Sequence, residues 1–122
     1  MSKYYILIAA LSGAFFVGFG AYASHGLKAK LAEEAYEVVR TGLLYQIIHT
    51  LALLAVGILL KNHSELFLNL SGGFFIAGIF LFSVSLYLYR GAGLEMFAPV
   101  TPFGGISYII GWLMLAVASV RG

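Results

Sequence analysis

The chain has 122 residues, 61% of them hydrophobic and 10% charged, with a formal net charge of +2 and no cysteine. A soluble domain carries about 25% charged residues, and one this short buries only roughly 60–70% of its unfolded surface; lipid must therefore cover the apolar excess. The lack of cysteine excludes disulfides, thiolate-bound metals and thiol chemistry, and no basic run supports nucleic-acid binding.

No charge lies between Lys3 and Lys28, and residues 4–23 are expected to form the first span. A ~30 Å hydrocarbon core requires about 20 apolar residues. Ala21-Tyr22-Ala23 is similar to a signal-peptidase site, but the apolar run is longer than the about 7–15 residues of a signal peptide, so the segment is expected to stay in place. Beyond it, Leu27, Leu31, Ala35 and Val38 recur at helical spacing among Lys30, Glu33, Glu34 and Glu37. That pattern predicts a short amphipathic helix, lying on the membrane surface or serving as a solvated linker. The second span is 41–60, between Arg40 and Lys61; the third is 66–89, ending at Arg90; the fourth is 102–120, ending at Arg121. Asn62 with Glu65 predicts a capping box for the third helix. Gly91 predicts its left-handed stop, and Thr101-Pro102 the N-cap and first turn of the fourth.

The expected fold class is all-α: an integral membrane four-helix transmembrane bundle with a short interfacial helix between helices 1 and 2, in one domain over 1–122. Lys3, Lys61 and Arg121 fall on the side of the termini, against Lys28, Lys30, Arg40 and Arg90 on the other. The positive-inside balance leans toward cytoplasmic first and third loops. Helices do not associate hydrophobically in lipid, so close packing of small residues matters more. Ala10, Ala14 and Gly18, then Gly73 and Ala77, then Ser107 and Gly111 form small-xxx-small stripes. They are expected to pack the bundle; an interface to a second copy or a membrane partner is the alternative. Trp112 lies too deep to anchor at the interface and should pack on a neighbour or face lipid.

His49 lies nine residues into the second span, roughly 13 Å deep at 1.5 Å per residue. Ionisable groups at such depth usually face the bundle interior and often mark a site. Tyr45 and Gln46 lie one turn before it. The topology also brings His25, Ser83, Ser85, Tyr87 and Thr101 to the same half of the membrane, predicting one polar cluster open toward the first and third loops. Three readings compete: a structural network, a pocket for a ligand or protons, and a metal or haem site on His25 and His49. The last lacks a third ligand or an attachment motif. His63, Arg90 and Glu95 are expected to be solvated.

The same residues sit in four ordered blocks: Gly20-Ala21-Tyr22-Ala23-Ser24-His25-Gly26-Leu27; Tyr45-Gln46-Ile47-Ile48-His49-Thr50-Leu51-Ala52-Leu53-Leu54; Phe82-Ser83-Val84-Ser85-Leu86-Tyr87; and Thr101-Pro102-Phe103-Gly104-Gly105, continuing to Gly111-Trp112. In these blocks the chain resembles the YgdD- and YwdK-like family of small inner-membrane proteins, a domain-of-unknown-function family, over nearly its whole length. It departs at Tyr22, Ala23, Ser24 and Val84, two of which replace glycines usual in the family. The resemblance implies a four-helix protein of the bacterial inner membrane and carries both histidines within motifs, but implies no activity. The expected function is a non-enzymatic binding or scaffold protein, without cofactor or metal, in contact with the lipid bilayer. The runner-up is a small transporter or proton-relay component.

Overall fold

The computed structural model describes residues 1–121. Four helices are long and apolar enough to cross a membrane: α1 (Ser2–Lys30), α2 (Glu33–Asn62), α3 (Leu66–Gly91) and α4 (Glu95–Arg121). α1 pairs with α2 and α3 with α4, and α2 also packs on α3. Each helix is longer than its predicted span. The 30 residues of α2 extend roughly 45 Å at 1.5 Å per residue, more than the ~30 Å hydrocarbon core.

The separate interfacial helix is not formed. Its residues are divided between α1, which continues to Lys30, and α2, which begins at Glu33. Only Leu31 and Ala32 turn the chain, both at ψ near 150°. The apolar stripe has a use inside the bundle: Leu27 packs with Ala23, Val39 and Tyr87, and Leu31 and Tyr36 lie against that cluster. Burying those side chains between helices gains more than lying on the interface. Arg90 is not simply solvated either, since it forms an ion pair with Glu34 across the α2–α3 contact.

Three terminus signals are corrected. Asn62 ends α2, and Glu65 itself is the N-cap of α3, its carboxylate accepting from the Phe67 and Leu68 amides at 3.2 Å each. The left-handed residue after α3 is Gly93, at φ 77°, rather than Gly91. α4 opens about two turns earlier than predicted, with a 3-10 segment Glu95–Val100 running into the α-helix at Thr101. Glu65 also accepts from Arg121 at 3.2 Å, tying the start of α3 to the end of α4. Glu65→Ala should cost about 1 kcal/mol through the lost cap, read as a lower midpoint in SDS unfolding. An unchanged midpoint would show that water replaces the carboxylate.

α3 and α4 approach most closely. Ser107 Oγ donates to the Phe74 carbonyl and Ser71 Oγ to the Gly111 carbonyl, each at 2.8 Å. These reciprocal bonds fix the register, and Gly104 lies directly on the backbone of Leu81 and Phe82. The predicted Ser107–Gly111 stripe thus packs within the bundle. The other two stripes do not. Ala10, Ala14 and Gly18 are exposed, and nothing lies within 4 Å of a Cβ built at Gly18. α1 instead turns Tyr5 and Ala9 into the core. On α3, Gly73 is exposed and Ala77 half-buried; Gly72 and Gly78 make room for the rings of Tyr5 and Tyr108.

Candidate functional site

His49 stands at the centre of an aromatic box. α2 supplies Tyr45 and His49, α3 supplies Phe75 and Phe82, and α4 supplies Tyr108 and Trp112. The imidazole lies flat on Tyr108, with ring centroids 3.6 Å apart and planes at 11°. Glycines create the room: a Cβ at Gly78 would run into the Tyr108 ring, and one at Gly111 would come within 2.7 Å of Phe75. Phe75 and Trp112 meet edge to face at 5.1 Å, and Phe82 lies 5.0 Å from Tyr45.

Both imidazole nitrogens are occupied. Nδ1 lies 2.7 Å from the Tyr45 carbonyl, one turn back on α2. The Trp112 indole N–H donates to Nε2 at 2.9 Å. Indole can only donate and a carbonyl can only accept. The network therefore assigns the neutral tautomer with its proton on Nδ1. His49 is 4% exposed, whereas Tyr45 and Trp112 are 41% and 43% exposed on the outer face of the bundle.

Gln46, on the next face of α2, belongs to a different network. Tyr87 Oη donates to Gln46 Oε1 at 2.6 Å. Gln46 Nε2 donates to the Ser12 carbonyl at 3.2 Å and to Ser12 Oγ at 3.0 Å. Ser12 Oγ lies 2.7 Å from Thr50 Oγ1. The chain Tyr87–Gln46–Ser12–Thr50 thus joins α1, α2 and α3 in mid-bundle. Amides and hydroxyls bonded across helices satisfy groups that lipid could not.

The remaining predicted residues separate further. Ser83 Oγ is 3.0 Å from Tyr108 Oη, so it supports the histidine's stacking partner. Ser85 donates back to the Leu81 carbonyl at 2.7 Å and lies 2.7 Å from Thr101 Oγ1, a small clasp between α3 and α4. Thr101 is therefore a helix–helix contact, not an N-cap. His25 joins none of these groups: it is exposed at the loop end of α1. The expected single cluster is thus divided among three contacts, with His25 outside them.

Polar contacts are not confined to one half of the membrane. Tyr5 Oη donates to the Asn69 carbonyl at 2.6 Å, and Ser2 Oγ to the Gly57 carbonyl at 2.7 Å, both near the termini. Ser12, Thr50, Ser71, Tyr108 and Trp112 carry contacts that the sequence reading did not single out for the site. A lone hydroxyl inside an apolar span was the available signal for the first three. Trp112 and Tyr108 became recognisable only once α4 was placed beside α2.

The comparisons with known proteins agree with this architecture. The family model "Protein of unknown function (DUF423)" matches residues 19–105. The UPF0382 membrane protein YwdK of Bacillus subtilis is 35% identical over 120 residues, covering 98% of this chain and 98% of that protein. The UPF0382 inner membrane protein YgdD of Escherichia coli is 35% identical over 120 residues, covering 98% of this chain and 92% of that protein. A UPF0382 membrane protein of Haemophilus influenzae is 40% identical over 121 residues, covering 99% and 97%. No solved structure matches. The chain therefore belongs to the DUF423 family and is a multi-pass integral protein of the inner membrane, in contact with the lipid bilayer.

Proposed function

We propose that the chain is a non-enzymatic membrane protein, a binding or scaffold element whose polar core locks four helices in one arrangement. The observation that supports this most is the double occupancy of His49, which accepts from Trp112 and is held by the Tyr45 carbonyl. A relay histidine must exchange protons with water or a titratable neighbour. Here the acceptor nitrogen faces an indole N–H that neither takes nor gives a proton. The Gln46 network favours the same reading, because an amide at its centre does not carry protons onward. Rigidity without an open catalytic constellation suits a protein that presents its outer surface to lipid or to another membrane component.

The runner-up, a small transporter or proton-relay component, requires water at this core. The two readings differ in one measurement, which the cysteine-free sequence makes clean. Single substitutions Tyr45→Cys, Ser85→Cys and Thr101→Cys would be probed with a membrane-impermeant maleimide, before and after permeabilisation. Ser24→Cys and Ser64→Cys are exposed loop-end controls. The controls should label from opposite sides and thereby fix the orientation. Tyr45→Cys, on the outer face, reports whether that face meets lipid or water; Ser85→Cys and Thr101→Cys, at the α3–α4 contact, should stay unlabelled throughout. Labelling at either of these two would replace the scaffold reading with a hydrated pathway.

A further inference from the structure

On the outside of the bundle, α1 and α2 leave an open-sided cleft of about 420 Å³ between them, walled by Phe16, Val17, Leu43, Leu44 and Ile47. Gly20 forms part of its floor, and a Cβ built there would meet only Leu43, at 4.0 Å. The missing side chain keeps the slot open. Toward the first loop the cleft runs into a second recess of about 640 Å³, with which it shares Ser24, Tyr36 and Arg40. This second recess is polar: Lys28 and Arg40 line it together with Glu33 and Glu37. Arg40 and Glu37 pair at 3.2 Å with both side chains more than half exposed. Lys28 makes no ion pair among the described residues.

An apolar slot thus ends in a mouth bearing both cations and carboxylates. The mouth lies where the apolar spans give way to charge, at Ser24 and Arg40. From Ser24 to Phe16 the slot runs about 12 Å at 1.5 Å per residue, most of a leaflet that is half of the ~30 Å hydrocarbon core.

We infer that this cleft binds a phospholipid, with one acyl chain along Gly20 and a phosphoethanolamine headgroup between Lys28, Arg40 and the carboxylates of Glu33 and Glu37. The chemistry selects this occupant over other lipids. Phosphate oxygens accept charge-assisted hydrogen bonds from Lys28 and Arg40. A primary ammonium has three N–H donors for the two carboxylates. A choline headgroup has none to offer, and a glycerol headgroup carries no positive charge to balance them. The site lies on the outer α1–α2 face, apart from His49. It goes beyond the scaffold reading and stands whether the core is wet or dry.

The test uses the full chain, purified in mild detergent and offered equal amounts of dioleoyl phosphatidylethanolamine, phosphatidylglycerol and phosphatidylcholine, with bound lipid counted by native mass spectrometry. Phosphatidylethanolamine should be retained about tenfold over either competitor, the equivalent of one charge-assisted hydrogen bond. Gly20→Leu fills the slot from a Cβ that meets only Leu43, at an ordinary van der Waals distance of 4.0 Å, and Leu is the better helix former. It should abolish retention of all three lipids while leaving the SDS-unfolding midpoint at or above wild type. Glu33→Gln combined with Glu37→Gln should remove the preference for phosphatidylethanolamine with the fold intact, whereas Lys28→Gln combined with Arg40→Gln should weaken retention of all three lipids through their shared phosphate. Equal retention of the three lipids, preference for phosphatidylglycerol, or undiminished binding in Gly20→Leu would each overturn the assignment.

Discussion

Gly104→Ala should cost about 3 kcal/mol of stability, at the upper end of what overpacking a well-packed contact usually costs. The reason lies in what the added methyl would meet. At Gly104 it would press on the backbone nitrogen of Phe82 and the carbonyl carbon of Leu81, neither of which can swing aside. At most other close glycines the obstacle is a side chain, such as the Tyr87 ring 2.8 Å from a Cβ at Gly42. To admit the methyl, α3 and α4 must separate, stretching the Ser107–Phe74 and Ser71–Gly111 bonds that set their register. Separation would also lift Tyr108 from Gly78 and weaken the floor on which His49 stacks. Gly105→Ala is the internal control. Its methyl would come no closer than 3.7 Å, to Phe82 Cδ1, and the change should stay within about 0.5 kcal/mol of wild type. SDS unfolding of the two variants in one detergent makes the comparison. Equal midpoints would mean that the helices are not in backbone contact at Gly104.

That contact also shows where sequence reading reached and where it stopped. The spans were legible because lipid imposes a length, and because Lys3, Lys28, Arg40, Lys61, Arg90 and Arg121 punctuate the apolar runs. The family was legible from its ordered blocks. The packing face of α1 was not. In a soluble helix the buried face is the apolar one, but here both faces are apolar, since one meets helices and the other lipid. Ala10, Ala14 and Gly18 therefore looked like a contact stripe, while Tyr5 and Ala9 make the contact. Likewise the apolar positions Leu27 and Ala35 looked interfacial, because nothing local says that α1 and α2 continue past the bilayer and close over Val39 and Tyr87.

The polar residues were legible as inward-facing and illegible as partners. Gln46 and His49 are three residues apart, which at 3.6 residues per turn places them about 60° apart around α2. That angle is enough to send Gln46 toward Ser12 and Tyr87 and His49 toward Trp112. Spacing on one helix suggested a shared cluster. The neighbours of that helix divided it.

His49→Ala should rank with Gly104→Ala in its effect, for a different reason. Removing the imidazole empties the space over Tyr108 and leaves the Trp112 N–H without an acceptor. Large-to-small core changes cost about 2–5 kcal/mol, and the unsatisfied donor adds to the loss. A double-mutant cycle separates the two contributions. His49→Phe keeps a ring on Tyr108 and removes the acceptor together with the Nδ1–H bond to the Tyr45 carbonyl, a loss that cancels in the cycle; Trp112→Phe removes only the donor. Made together, the two replacements leave no polar group stranded, so the double variant should be more stable than the sum of the single losses predicts. The coupling should lie between ~0.6 and ~1.7 kcal/mol, the average and the maximum found for side-chain hydrogen bonds within membranes. Trp112 is the sole tryptophan, so its emission reports directly whether His49→Phe alters the indole's surroundings. Zero coupling with unchanged emission would separate His49 from Trp112 and free its Nε2 for a proton or a ligand. A coupling within the expected range makes the histidine a pin between α2 and α4, and function is then to be sought on the lipid-facing surface.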